Sequence, residues 1–450
     1  WEERCERVID DLAEIGGVLC ISNLLELLRY GGSTPNESVA AFMRPYVERG
    51  ELRLVAEATP SEVTACRRLL PGLIELFQRV PVNPLSAESS QRALRQMVKS
   101  WSLNAKVAID DDVVPTADRL YRRFQPYLSQ PGPAARLLRG LVDKAEAERL
   151  ERVDRPQVLE HFKRETGLSE RLLVDEQALP FTEVRDALRA QVIGQPAGCD
   201  AAARVVTAFK TGLNDPRRPL GVLLFCGPTG VGKTELAKSL SRYLFGSGVG
   251  ADSRLVRLDM SEYGGYGAAH RLLNQASGEP AAWLERVRST PFVVLLFDEI
   301  EKAAPEVFDV LLGALDEGRL TDRYGRTTTL RSAVIILTSN LGVEQSSPVG
   351  FDAERPGGFE RAVSQFFRPE FFNRLDAVVT FQPLGPSTIR EITAKELGAL
   401  AHREGLAKHE LRLTWSDAVV ELLAREGFAP RYGARPLQRV VEQRVVAPLA

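Results

Sequence analysis

Apolar positions in the second half of the chain fall in short uninterrupted runs: LGVLLFC (220–226), FVVLLFDE (292–299) and AVIILTSN (333–340), with RLVRLDM (254–260) and AVVTFQ (377–382) around them. Runs without alternation predict strands buried on both faces, as in a covered parallel sheet. Between them lie segments of helical period such as KTELAKSLSRYL (233–244). Strand–loop–helix units repeated in this way predict an α/β layer architecture. The first half is subtler. VLCIS (18–22) and ELRLVAEAT (51–59) read as strands, and ESVAAFMRPYVERG (37–50) as a helix stopped at Gly50. RALRQMVKSWSL and RLYRRFQPYL continue in helical period, and the charged stretch KAEAERLERVDRPQ (144–157) reads as a solvated linker or exposed helix. From 386 the pattern is helical, with one strand-like piece, HELRLTW (409–415).

The tips of two of these strands differ in chemistry. VLCIS ends in Ser22-Asn23, whereas VVLLF ends in Asp298-Glu299. The second tip can do what the first cannot: a carboxylate can bind a metal ion and a second can polarise water.

Composition narrows the classes. The chain has 450 residues, 44% hydrophobic and 26% charged, and a formal net charge of -2. That length allows two or three domains with real cores. The charge argues against a nucleic-acid binder, which needs a basic excess or stripe. No apolar stretch approaches a membrane span, and no signal peptide opens the chain. Five scattered cysteines make neither a disulfide framework nor a metal-spaced pair, so a reducing cytoplasm is the simplest compartment. His161, His270, His402 and His409 form no cluster, so no metal beyond a nucleotide-bound Mg²⁺ is expected. The opening Trp1 and a last helical pattern without a stop signal are read as a fragment clipped at both ends.

The strongest motif is GPTGVGKT, residues 227–234, set between a predicted strand and a predicted helix. Gly227, Pro228, Thr229, Gly230, Val231 and Gly232 would wrap backbone N–H groups around phosphates, at the positive end of the following helix. Lys233 would reach the β- and γ-phosphates and Thr234 would hold Mg²⁺. Asp298 is the second Mg²⁺ candidate and Glu299 the candidate base; Asn340, at the end of AVIILTSN, is suited to orient the attacking water. These expectations name ATP and Mg²⁺ as cofactors.

The segments FCGPTGVGKTELAKSL, LDMSEY, FDEIEKAAPEVFDVLL, LDEGRLTDRYGRTTTLRSAVIILTSNLG, FRPEFFNRLDAVVTFQPL and RYGARPLQR together resemble AAA+ ATPases, and within them the Clp family of two-ring unfoldases and disaggregases. The resemblance implies P-loop AAA+ modules, each a parallel sheet flanked by helices with a small mostly helical lid. It implies a homo-hexamer acting on protein clients as a chaperone. It assigns Arg374, in FFNRLD, to the finger that reaches a neighbour's nucleotide, Arg435, in GARP, to the lid sensor, and Val192 and Ile193, in VIGQ, to the adenine strip. The domain division it implies is 1–145 for the rear part of a degenerate first module, 146–180 for a linker, 181–385 for the second ATPase module and 386–450 for a lid, read as truncated.

Three departures accompany the resemblance. Ser22-Asn23 stand where the first module of the family has its acids, and Glu75-Leu76-Phe77 where paired arginines precede a Phe, so this module reads as catalytically dead. The family's coiled-coil insertion is not visible between the modules. The aromatic-glycine loop that grips substrate is replaced by QASGEP, with Tyr266 too early and Trp283 at core spacing; Tyr324 marks a second pore loop. Val349-Gly350-Phe351 has the form of a tripeptide that docks a peptidase ring. Two readings follow: an ATP-driven remodelling chaperone, or a nucleotide-switched scaffold that hydrolyses ATP without threading polypeptide.

Overall fold

The computed structural model describes residues 1–450 except 33, 247–252, 276–278, 323–324, 342–362, 364, 410, 430–432 and 450. Packing divides them into two units. One gathers Trp1–Pro84, His270–Glu285 and Arg319–Thr328, and the other Leu85–Ala269, Arg286–Gly318 and Thr329–Ala450.

In the first unit, helix Glu2–Ile15 ends at Gly16, whose φ of 66° is the left-handed stop that glycine adopts without strain. Strands β1 (Leu19–Ile21) and β2 (Leu54–Ala56) then pair in parallel, with Leu19 opposite Leu54. Helix Val39–Glu48 runs between them. Leu24, Leu25, Leu28, Cys66, Leu70, Leu73 and Ile74 form the core beside the pair. Helix Pro60–Leu69 starts with a reciprocal cap, Thr59 with Glu62. Within the same unit the guanidinium of Arg29 bonds Glu279 at 3.2 Å, Arg326 bonds Glu26 at 2.9 Å, and the Trp283 indole N–H donates to the Leu272 carbonyl at 2.8 Å. Trp283 is 8% exposed, which is the core role its spacing predicts.

In the second unit, β3 (Ala108–Ile109) pairs with β4 (Arg152–Val153). The charged stretch 144–157 is exposed or half-buried apart from Ala145 and Val153, as its composition predicts, and burial resumes beyond it. Val153, Val158, Phe162, Leu168, Leu172 and Leu173 are all buried. The charges of helix Arg155–Thr166 sit on its outer face, opposite an apolar stripe at i, i+4 spacing, Val158 and Phe162. Tyr121 meets Phe162 edge-on at 5.1 Å.

The sheet that organises the unit has five strands, all parallel: β5 (Gly221–Cys226), β6 (Leu255–Asp259), β7 (Val293–Asp298), β10 (Ala333–Ser339) and β11 (Ala377–Thr380), with β8 (Arg319–Thr321) and β9 (Thr327–Thr329) forming a separate two-stranded sheet in the chain between β7 and β10. The order across it is β11-β5-β10-β7-β6. Every residue of β5, β7 and β10 is buried, as unbroken apolar runs require of strands covered on both faces. Helices Pro196–Thr211 and Lys233–Phe245 flank it. The C-terminal part is helical, over Pro386–Ala401, Asp417–Glu426 and Arg435–Val441, around Leu397, Leu423 and Leu437. HELRLTW forms no strand in its described residues; Leu413 and Trp415 pack onto that small core.

Two outcomes are expected. Phe225, fully buried on β5 with its ring 5.0 Å from that of Phe381, should on change to Ala cost about 3–5 kcal/mol, read as a lower urea midpoint. Burial raises the thiol pKa of Cys66 and Cys199 to about 11 and of Cys226 to about 12, while Cys20 is exposed. Iodoacetamide should therefore modify Cys20 in the native chain and spare those three until urea is added, as mass spectrometry of the peptides will show.

Candidate functional site

The three buried central strands run in one direction, so their C-terminal ends open on one side of the sheet. The loop after β5 turns through Gly227, Gly230 and Gly232, with φ of 141°, 78° and 108°. At Gly227 a Cβ would lie 2.5 Å from the Phe381 carbonyl oxygen, so only glycine lets the loop lie on the end of β11. Gln195 pins the other side. Its amide donates to the Val231 and Gln382 carbonyls at 3.0 and 2.8 Å and accepts from the Gln382 N–H at 3.0 Å. This ties the Val192-Ile193 segment to the loop.

Lys233 opens the helix and is buried. Its ammonium donates to the Gly227 carbonyl, to the Pro228 carbonyl at 2.9 Å and to Asn340 Oδ1 at 2.8 Å. Burial lowers its pKa to about 8, against the opposing pull of Glu301, Cys226, Asp298 and Glu299. A phosphate group arriving there would meet a cation already stripped of water.

At the end of β7, Asp298 is 9% exposed. The Thr338 hydroxyl donates to its Oδ1, and the Arg257 guanidinium donates to its Oδ2 at 2.6 Å. The same Thr338 oxygen accepts from the Glu299 N–H at 3.1 Å, so one hydroxyl fixes both acids. Glu299 has φ 56° and ψ 53°, a left-handed conformation that a non-glycine residue holds only when its surroundings impose it. Its Oε1 faces Asn340 Nδ2 at 3.4 Å. Asn340 thus stands between Lys233 and Glu299, with its own N–H on Glu301 at 3.0 Å.

These groups line a cavity of about 420 Å³. Of the sequence candidates, Val192, Ile193, Thr229, Gly230, Val231, Gly232, Lys233, Thr234, Asp298, Glu299, Asn340 and Arg435 line it. Gly227 and Pro228 stand behind the lining, facing Lys233 through their carbonyls. Arg435 reaches the cavity because the Ala434 N–H donates to the Gly230 carbonyl at 3.1 Å, seating the last helices on the loop. Arg374 does not line it. Its guanidinium pairs with Asp316 at 3.1 Å, about half exposed. Tyr324 and Val349-Gly350-Phe351 lie outside the described residues.

Sequence reading missed Thr338, Arg257 and Gln195. Thr338 carried a usable signal: a hydroxyl two residues before Asn340, at the end of an apolar run, must be bonded if buried. At the weaker tip, Asn23 has a structural partner set, accepting from the Leu25 N–H at 2.9 Å and donating to Glu62 at 3.1 Å. Glu75 pairs with Arg67 at 3.2 Å on the surface.

A bound Mg²⁺ takes hard oxygen ligands, usually one or two from the protein and the rest from phosphates and water. The Thr234 hydroxyl and the Asp298 carboxylate are such a donor set, and a guanidinium already stands at the Asp298 oxygen as a stand-in cation. The residues fit the ion. Among the described residues no cluster of three or more His, Cys, Asp or Glu could hold a metal by itself.

The AAA domain (Cdc48 subfamily) family matches residues 218–378, and the C-terminal, D2-small domain of ClpB protein matches residues 384–450. The chain belongs to the Clp family of AAA+ ATPases. A curated Clp relative, the probable ATP-dependent Clp protease ATP-binding subunit of Chlamydia pneumoniae, is 30% identical over 527 aligned residues, with 100% of this chain and 62% of the relative covered. That alignment is longer than the chain, so the relative carries segments with no counterpart here. Chaperone protein ClpB of Vibrio cholerae serotype O1 is 40% identical over 302 residues, covering 65% of this chain and 34% of ClpB. The chain thus spans between about a third and three fifths of the length of these Clp relatives. Two solved structures of Hsp104 from S. cerevisiae, one with ADP and one with casein, match the whole chain and 78% of theirs, with TM-scores of 0.76 and 0.67 at 29% and 28% identity.

Thr338→Val keeps the shape of the side chain while removing the donor to Asp298 and the acceptor for the Glu299 N–H. It should lower stability by about 1–3 kcal/mol, measured as a shift of the urea midpoint, because two buried polar groups lose their partner.

Proposed function

We propose that this chain is the ATP-hydrolysing part of a Clp-type chaperone that remodels protein clients as a ring, a homo-hexamer by family analogy, with hydrolysis carried by residues 181–385 and the lid formed by 386–450. Residues 1–145 serve assembly in this reading, without catalysis. The observation that carries it is the convergence of Lys233, Asp298, Glu299 and Asn340 on one cavity that Val192, Ile193 and Arg435 also line.

The roles follow from the chemistry. Backbone N–H groups of Gly230 to Thr234 hold the phosphates at the start of a helix. Lys233 turns from the Gly227 and Pro228 carbonyls to the β- and γ-oxygens. Mg²⁺, held by Thr234 and Asp298, would neutralise charge on those oxygens. Glu299 polarises a water molecule that Asn340 orients, and the water attacks the γ-phosphorus as the bond to the β-phosphate oxygen breaks. Val192 and Ile193 give an apolar seat for the base, and Arg435 contacts the phosphates from the lid. Arg374 acts in the neighbouring subunit's site, which is consistent with its absence from the cavity of its own chain. Casein bound to Hsp104 supports a protein client. No described helix is long and apolar enough to cross a membrane. Partnership with a peptidase ring through Val349-Gly350-Phe351 stays a secondary proposal.

The scaffold reading has one observation on its side. Trp283, the aromatic nearest the altered grip loop, is buried and bonded to Leu272.

Glu299→Gln should reduce ATP turnover by about 10²–10⁴-fold while nucleotide still binds, as seen in a phosphate-release assay beside an equilibrium titration. Unfolding of a stable fluorescent client that needs ATP and intact Glu299 supports remodelling. ATP consumption without loss of fluorescence favours the scaffold. Arg374→Ala should lower turnover about 10³-fold or more in assembled rings and leave nucleotide affinity of dissociated subunits unchanged.

A further inference from the structure

Arg257 lines the cavity and bonds Asp298, yet the proposed mechanism gives it no task. It projects from β6, where burial alternates along the strand and Arg257 is on the open side. In register it lies opposite Leu296 of β7, two residues short of Asp298, and its guanidinium spans that distance to reach Asp298 Oδ2 at 2.6 Å. The Arg257 side chain is 51% exposed and that of Asp298 12%. The acid is held by the protein; the arginine can leave toward water at little cost in burial. Around it, Asp259, Asp298 and Glu299 line the same cavity, with Glu301 just behind them on the Asn340 N–H. A polyanion entering this space meets an acid-rich wall, which Arg257 faces at Asp298 and Lys233 faces beside Asn340. Arginine stays charged at any working pH, so this is a fixed positive charge.

We propose that Arg257 is a positioning residue that stands in for the metal: it neutralises Asp298 while no Mg²⁺ is bound and gives up that carboxylate oxygen when Mg²⁺ enters with the nucleotide. The inference rests on the reading of the cavity as a nucleotide site. Two consequences separate it from a merely structural ion pair. Without Mg²⁺, Arg257 offsets repulsion between the nucleotide phosphates and the acids, so its loss weakens metal-free binding. With Mg²⁺, Arg257 competes for Asp298, so its loss leaves binding unchanged or strengthens it. A structural ion pair would move both affinities in the same direction. Arg257 therefore sets how strongly nucleotide binding depends on the metal.

The experiment uses the full chain and a fluorescent ADP analogue, titrated once in excess MgCl₂ and once in EDTA, for wild type, Arg257→Gln and Arg257→Lys. For Arg257→Gln the affinity in EDTA should fall about tenfold, equal to about 1.4 kcal/mol, and the affinity in MgCl₂ should stay within about twofold or rise. Arg257→Lys, which keeps the charge, should restore most of the EDTA affinity. In an Asp298→Asn background the effect of Arg257→Gln on the ratio of the two affinities should shrink, since the acceptor is then neutral. Thermal denaturation without nucleotide checks that each variant is folded. Equal loss in both conditions, or an unchanged ratio, overturns the role of Arg257 alone. Failure of folded wild type to bind the analogue in either condition overturns the nucleotide reading, and this proposal with it.

Discussion

A strand buried on both faces can carry a charged side chain only at its end. That constraint organises this protein. β5 is apolar throughout, and β7 and β10 turn polar only at their last residues, Asp298 and Thr338-Ser339, so the phosphate loop, the acid pair and Asn340 all stand where the strands run out. Parallel direction puts those ends on one side; an antiparallel neighbour would have sent one of them to the far edge of the sheet. Register completes the arrangement. Leu337 pairs with Phe297, so the next residues, Thr338 and Asp298, arrive side by side and bond.

The polar groups at these ends are buried enough that each needs a partner, and the partners form a chain. Thr338 connects the two acids, Glu299 faces Asn340, and Asn340 accepts from Lys233. Burial strips the Lys233 ammonium of hydration and lowers its pKa even against the surrounding acids. In such a setting phosphate oxygens can replace backbone carbonyls without a large solvent rearrangement, which is the condition under which fixed charges act strongly on a reaction.

How far the sequence revealed this depended on the kind of signal. GPTGVGKT and Asp298-Glu299 were legible because their chemistry lies within a few consecutive residues at a strand end. Thr338, Arg257 and Gln195 were not, since their partners lie 36 to 187 residues away and only tertiary structure brings them together. At 144–157 the charges read correctly as exposure, whereas just beyond it the charged face of helix Arg155–Thr166 masks the buried Val158 and Phe162. HELRLTW alternates like a strand, yet its described residues join no sheet, and Leu413 and Trp415 pack onto the helical core. In the first unit β1 and β2 follow the apolar runs, and Asn23 at the tip caps the turn that follows. Arg374 came from resemblance alone: its Asp316 partner would have passed for an ordinary surface pair.

The contact between the last helices and the phosphate loop is made by backbone on backbone. The Ala434 N–H meets the Gly230 carbonyl, and Gly433 approaches so closely that a Cβ there would lie 2.6 Å from the same oxygen. A peptide group has no rotamers to absorb a displacement. Whatever tilts these helices must therefore drag the loop or break the bond, and a rearrangement of the loop is felt at their base without any side chain as intermediary. The junction behaves as a stiff joint, and its mechanical coupling is insensitive to the residue at position 230 as long as the bend is kept.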